Sequence, residues 1–318
     1  MRLFRILAVL LLAVCSSTWA ETYPSRPIKI IVPFGAGSSG DILARALARG
    51  ISEVSGATAV VENKPGAEAV IGVMAAKKSP ADGYTILLGN SSSQVLNMHM
   101  LPQIPYDPVA DFVPLVGIAK FSLVLNAGPS TTFKSARDLI DAARSAPGKY
   151  TYGSATTSTR LAMEMLEHLA GIKLLSVPYK SMAEATTALA AGQVDFVMND
   201  AATGAPQYKS GRLRPLATTG STRMYALPNV STFREQGVVN YELTGWHATY
   251  FPANTPPAVV ATMQDILRKA TKTKYVSDAL ALASFEPLDL SGDQLTSMLR
   301  ADSEKWGKLV RASGAAPK

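Results

Sequence analysis

The chain has 318 residues, 47% of them hydrophobic and 17% charged, with 31 Lys and Arg against 24 Asp and Glu. That length suggests two globular domains, and basic residues scattered without blocks leave no footprint for nucleic acid. The one cysteine, Cys15, falls in the N-terminal apolar region, so disulfide scaffolds and thiolate chemistry are excluded from the rest of the chain.

Residues 1–20 read as an export signal: Arg2 and Arg5, the apolar run Ile6–Val14, then Thr18-Trp19-Ala20 as the cleavage site. The run is nine residues long, against about 20 for a membrane-spanning helix, so cleavage after Ala20 and release into the periplasm are expected. Val14 stands where cleavage before a lipidated cysteine needs a small residue, so lipidation of Cys15 is not expected. Residues 21–318 keep 29 basic residues against 24 acidic ones, a mild excess that steers anions.

From Ile28 onward, short β-branched runs alternate with helical periods, the pattern of parallel βαβ units. Ile28–Val32 predicts the first strand, followed by a Gly/Ser loop and a helix with Ile42, Leu43, Ala46, Leu47, Ile51 and Val54 at helical spacing. Thr58–Val61 and Tyr84–Leu88 are the next strands, the latter preceded by the turn Ser79–Gly83 and followed by the polar run Asn90–Ser93. After Pro105 and Pro108 a second α/β unit begins. Its strands are Leu123–Leu125, Tyr150–Gly153, Leu175–Val177 and Val194–Met198, and its helices Phe133–Ala146, Leu161–Ala170 and Ala183–Ala190. Past Gly245-Trp246 and the loop Pro252–Pro257, helices Val259–Ala270 and Leu295–Val310 are expected to return over the first domain. The expected division is 1–20 for the signal, 21–122 and 247–318 for the first domain, and 123–246 for the second.

Gly35-Ala36-Gly37-Ser38-Ser39-Gly40 follows a strand and opens a helix, and Glu62 ends the next strand 22 residues later. This is the dinucleotide-binding fingerprint in its usual context, and it supports an NAD-dependent oxidoreductase as one reading. Export from the cytoplasmic cofactor pool opposes it, as do Asp41, where a pyrophosphate would meet a like charge, and the bulky Phe34 before the turn. A smaller anion suits the same loop, because a helix N-terminus offers unpaired N–H groups and the positive end of its dipole. The plainer alternative is a tight turn permitted by glycine and capped by Ser38 or Ser39.

Several further segments belong with this loop: Tyr23-Pro24-Ser25-Arg26-Pro27-Ile28, Glu62-Asn63-Lys64-Pro65-Gly66-Ala67 and Asp82-Gly83-Tyr84-Thr85. Pro178-Tyr179-Lys180, Gly192-Gln193-Val194-Asp195, Leu227-Pro228-Asn229-Val230, Glu235-Gln236-Gly237 and Gly245-Trp246 continue the series. In this order and spacing the chain resembles the Bug family of extracytoplasmic receptors, of the tripartite tricarboxylate transporter type. The resemblance implies a type II periplasmic-binding fold: two α/β domains joined by two crossover strands, with a ligand cleft between them. It also implies a cofactor-free, non-enzymatic solute-binding protein, expected to be a monomer, that captures a small organic carboxylate and delivers it to membrane permease subunits. An exported ligand sensor for a signalling partner shares that fold and is the other reading.

The family clamps its ligand with the loops after the first strand of each domain. Carried onto this sequence, that places Phe34, Gly37, Ser38, Ser39 and Asp41 in the first loop, and Ser91 and Ser92 at a nearby strand end. In the second domain it places Ser154, Thr156, Thr157, Ser158, Thr159 and Arg160, with Tyr179, Lys180 and Asp200. Departures from the family pattern are Ser38 for a second glycine, Glu68-Ala69 for Gly-Gly, Ser181 for glycine after Lys180, and a glycine-free second loop with Arg160 where histidine is usual. Loss of glycine narrows a pocket or redirects a loop. Arg160 or Lys180 is a candidate to pair with a second acidic group on the ligand. His99, His168 and His247 show no metal-ligand spacing, and no nucleophile elbow or zinc-protease motif occurs, so neither a metal nor a catalytic residue is expected.

Overall fold

The computed structural model describes residues 23–313 and Ala316, so the expected export signal, its cleavage site and Cys15 lie outside the described residues. In the first lobe, β1 (Ile28–Val32) pairs in parallel with β2 (Ala59–Asn63) on one side and β3 (Thr85–Asn90) on the other. Four of the five β1 residues are buried, as a strand covered on both faces requires. Helix α1 (Ser39–Ser55) buries Leu43, Leu47 and Ile51, while Arg45 and Arg49 take the exposed side. Truncating Leu47 to alanine there would cost about 2–5 kcal/mol. Ser38 caps the helix by accepting from the Asp41 amide, and Gly56 ends it in the left-handed conformation. Helix α2 (Val70–Lys77) follows β2, and a π-helical turn (Ser92–Leu96) and the short α3 (Asn97–Met100) follow β3.

The two lobes share one long strand, β4 (Phe112–Ala127). Up to Ser122 it runs antiparallel to β9 (Thr244–Pro252), with β10 (Glu286–Ser291) on its other edge; from Leu123 it pairs with β7 (Phe196–Asp200) and β8 (Arg214–Thr218). In the second lobe β5 (Thr151–Ser154) lies parallel between β7 and β6 (Leu175–Pro178). The full path is β2-β1-β3-β9-β4-β7-β5-β6, with β8 and β10 added to β4. The second lobe's helices are α4 (Ala136–Ser145), α5 (Thr157–Ala170), α6 (Met182–Ala190) and α7 (Ala201–Lys209). Of the C-terminal helices, α8 (Pro257–Ala270) and α9 (Lys274–Ala283) pack on α1, and α10 (Gly292–Ser313) lies along β4 and the π-helical turn. No helix among the described residues is long and apolar enough to cross a membrane.

Each lobe is therefore an α/β unit, but the sheet is mixed rather than parallel throughout. Sequence periodicity predicts only Leu123–Leu125 of β4, because register shifts around Pro114 and Gly117 break the alternation of its first half. The strands β8, β9 and β10, the helices α2, α3, α7 and α9 and the π-helical turn are absent from that reading. β9 is buried at eight of its nine positions, which erases any period. β10 is a polar edge strand with an irregularity between Pro287 and Leu290, and α7 carries Pro206 inside it.

Candidate functional site

The loops that leave the carboxyl ends of β1, β5, β6 and β7 meet between the lobes, where an open α/β sheet has its natural crevice. On the first-lobe side, Gly37 takes a φ of 78°, which only glycine adopts without cost, and this turns the chain into α1. On the second-lobe side, Thr156 and Thr159 form a reciprocal capping box at the start of α5. Ser181 caps α6 by accepting from the Glu184 amide, and Asp200 caps α7 by accepting from the Thr203 amide.

These loops enclose a small cavity, with about 40 Å³ open to the centre of a water-sized sphere. Its wall includes Ser38, Thr156, Ser181 and Asp200, the N-cap residues of four separate helices. The starts of four helices, where the dipole is positive, thus border one space. The first amides of each helix have no partner within it. Apolar wall comes from Phe34, Phe121, Leu123 and Met182, and the only lysine in the wall, Lys180, is solvent-exposed.

The lobes touch through polar bonds around the cavity. Ser39 Oγ donates to Asp200 Oδ2 at 2.8 Å, Ser92 Oγ to Ser158 Oγ at 2.7 Å, and Thr157 Oγ1 to Asn97 Oδ1 at 2.8 Å. A Cβ built on Gly35 would sit 2.8 Å from the Cβ of Ser181, so the first loop reaches the second lobe only because residue 35 lacks a side chain.

Of the residues expected from sequence, Phe34, Ser38, Ser39, Thr156, Ser158, Thr159, Lys180 and Asp200 line the cavity. The others do not, each for a visible reason. The Gly37 amide donates to Asp41 Oδ2 at 3.0 Å, so the loop's own carboxylate occupies the position a ligand anion would take. Burial pushes the Asp41 carboxyl up, but bonds from Arg45 and Gly37 outweigh it and leave it below the ordinary carboxylate range. With that amide used and Ser181 against Gly35, the Gly35–Gly40 loop has no place for a pyrophosphate. Ser92 and Thr157 spend their hydroxyls bridging the lobes, Ser154 accepts from the Tyr179 amide through its carbonyl, and Tyr179 packs in the small apolar cluster of the second lobe. Ser91 is buried beside Gly245 at the start of β9. Arg160 faces away from the cavity: its guanidinium donates to the Met100 carbonyl at 3.2 Å and to Glu68 Oε2 at 3.4 Å, and lies 3.7 Å from Glu164. Arg160, a candidate for pairing with the ligand, in this structure pairs between the lobes.

Sequence reasoning missed Asn90, Phe121, Ser181, Met182, Asn199 and His247 in the wall. In the sequence Ser181 stands out only as a lost glycine. His247 stands on β9, a strand the sequence reading did not find, so no local signal placed it near the loops.

Comparison with known proteins agrees with this architecture. Residues 43–315 match the sequence profile of the tripartite tricarboxylate transporter family receptor. The chain is 32% identical to protein BugT of Bordetella pertussis over 323 residues, covering 99% of each. Among solved structures, the periplasmic binding protein BugD superposes with a TM-score of 0.89 at 27% identity, and the R. palustris protein Rpa4515, solved with adipate, with 0.88 at 29%; each covers 93% of this chain and is itself covered completely. The two-lobed fold, the cleft and these matches together show that the chain belongs to the solute-binding receptor family of tripartite tricarboxylate transporters.

Proposed function

We propose that this receptor captures a small carboxylate in the cavity between its lobes and hands it to the membrane permease subunits of its transporter. The observation that carries the ligand class is the convergence of four helix N-termini, capped by Ser38, Thr156, Ser181 and Asp200, on one enclosed space. Backbone amides at helix starts hold a carboxylate without a paired cation. Adipate in the related Rpa4515 structure supports the same class. The lobes are divided where β4 changes partners after Ser122 and where the chain returns into β9 at Thr244. The ligand contacts come from Phe34, Ser38, Ser39, Thr156, Ser158, Thr159 and Asp200, with Lys180 at the rim.

A thermal-shift panel of aliphatic, aromatic and amino-acid carboxylates tests this. A true ligand at about 100 times its Kd stabilises the protein by about 2.7 kcal/mol. A panel in which no carboxylate raises the melting temperature, or only neutral sugars do, would refute the reading. The same reading places the protein in the periplasm as a product beginning at Glu21, which intact-mass measurement of the periplasmic fraction decides.

A further inference from the structure

One side chain in the cavity wall stands apart. His247 is 2% exposed; neither ring nitrogen makes a well-formed hydrogen bond, although the Gly89 carbonyl stands close enough to favour the protonated ring. Every other uncharged polar side chain in the wall makes at least one bond: Ser38, Ser39, Thr156, Ser158, Thr159 and Ser181 through their hydroxyls, and Asn90 and Asn199 through their amides. Among the uncharged side chains of the wall, this imidazole alone makes no well-formed bond through any of its polar atoms. A buried polar group left unpaired is costly and uncommon.

Its setting fixes what it can bind. The ring lies 5.0 Å from Phe121, 5.8 Å from Phe285 and 6.1 Å from Phe34, centroid to centroid. Its Cε1, the carbon between the two nitrogens, is 3.5 Å from the place a Cβ on Gly40 would occupy, so the N–C–N edge is turned towards the first turn of α1. Desolvation among these rings holds the imidazole down at about 4, and the nearby Gly89 carbonyl offsets this only in part. The ring is therefore uncharged at neutral pH, with one donor and one acceptor.

We propose that His247 is the specificity-determining residue of the cavity, its imidazole hydrogen-bonding an uncharged polar group, a hydroxyl or amide, on the carboxylate ligand. The ligand class is a compact carboxylate with an apolar body and one such group. The carboxylate end meets the helix N-termini; the hydroxyl or amide meets His247. A second carboxylate at that end would gain only the single N–H of the neutral ring and would bring an uncompensated charge among the phenyl rings. This assignment rests on the carboxylate-receptor reading.

The test is calorimetric binding of three matched pairs: lactate and propionate, 3-hydroxybutyrate and butyrate, 4-hydroxybenzoate and benzoate. The wild-type protein should bind the hydroxylated member of at least one pair about 5- to 100-fold more tightly. His247→Phe should remove that preference, so that the two members of each pair bind within about threefold of one another. A wild-type protein without preference in any pair, or a preference retained in His247→Phe, would overturn the assignment. If none of the six carboxylates binds while the thermal-shift panel yields a carboxylate hit, His247 does not select hydroxylated ligands of this size and the proposal fails alone. If the panel also yields none, the receptor reading fails first and takes this proposal with it. Should His247→Phe not fold, ¹⁵N spectra of the wild-type imidazole decide: the preferred ligand must move a ring-nitrogen resonance of His247, and unmoved resonances at saturation overturn the proposal.

Discussion

Asp41 and Glu164 show how the same side-chain chemistry is tuned in opposite directions by its surroundings. Asp41 sits in the first turn of α1, bonded by the Gly37 amide and Arg45, and its folded-state pKa is below the ordinary value. Its contribution to stability is present above the unfolded-state value and is lost as pH falls through the lower, folded one. Asp41→Ala should destabilise the protein by about 1–3 kcal/mol at neutral pH, with a smaller penalty in acid, as denaturant titrations at the two conditions would show. Glu164 behaves the other way. Burial pushes it up to about 7 from 4.5; Arg160 opposes the shift, while Glu167 and Glu68 add to it. The folded state then holds a proton that the unfolded chain gives up, so the contribution is present below pH 4.5 and lost as pH rises to about 7. Glu164→Gln should flatten that slope, narrowing the loss of stability between about pH 4 and about pH 8 by roughly 1–3 kcal/mol relative to wild type. A variant with an unaltered pH profile would show that Glu164 ionises normally.

Between elements, two departures from the family pattern turn out to be partners. Arg160, on α5 of the second lobe, reaches Glu68 in the loop between β2 and α2 of the first. The loop residues Ala67, Glu68 and Ala69 all hold positive φ, at 46°, 50° and 76°. Non-glycine residues in that region cost about 1 kcal/mol each or more, and the Arg160–Glu68 contact between the lobes helps offset it. Because Arg160 does not face the cavity, Arg160→Ala should weaken monocarboxylates and dicarboxylates alike, by roughly 2- to 10-fold. Glu68→Gln should do the same, and the double variant should add little beyond either. Titration calorimetry in which only the dicarboxylate suffers would return Arg160 to the binding site. Neither side of this pair was readable as a contact, since Glu68 and Arg160 lie 92 residues apart in sequence. What was readable followed local periodicity: β1, α1 and α5, with Leu43, Leu47 and Ile51 on the buried face. The loops after β1 and β5 were also visible, through glycine and N-cap chemistry. The strands β9 and β10 were not, because a wholly buried strand and a polar edge strand both lack alternation, and with β9 went His247.

At the scale of the whole molecule, the lobes are joined by β4 and by the return into β9, and they also meet through packing of α9 and α10 against α7 and α5 and through polar bonds around the cavity. Such bonds are individually weak in net terms, about 0.5–1.5 kcal/mol each, so a ligand gripped by both sides is well placed to shift the balance between open and closed arrangements. Gly35 offers a clean way to separate closure from folding. Its φ is not in the left-handed region, so a side chain is tolerated by its own backbone, but a Cβ there would strike Ser181 of the opposite lobe at 2.8 Å. Gly35→Val should therefore keep a near-normal melting temperature without ligand, because each lobe's core is untouched, while binding at least roughly tenfold more weakly. Small-angle scattering supplies the second readout. The wild-type radius of gyration should fall when a stabilising carboxylate is added, whereas that of Gly35→Val should stay at its unliganded value under the same conditions. If the variant binds with wild-type affinity and contracts normally, the loop contact between Gly35 and Ser181 is not part of the bound state, and the ligand is held with the lobes further apart than in this structure.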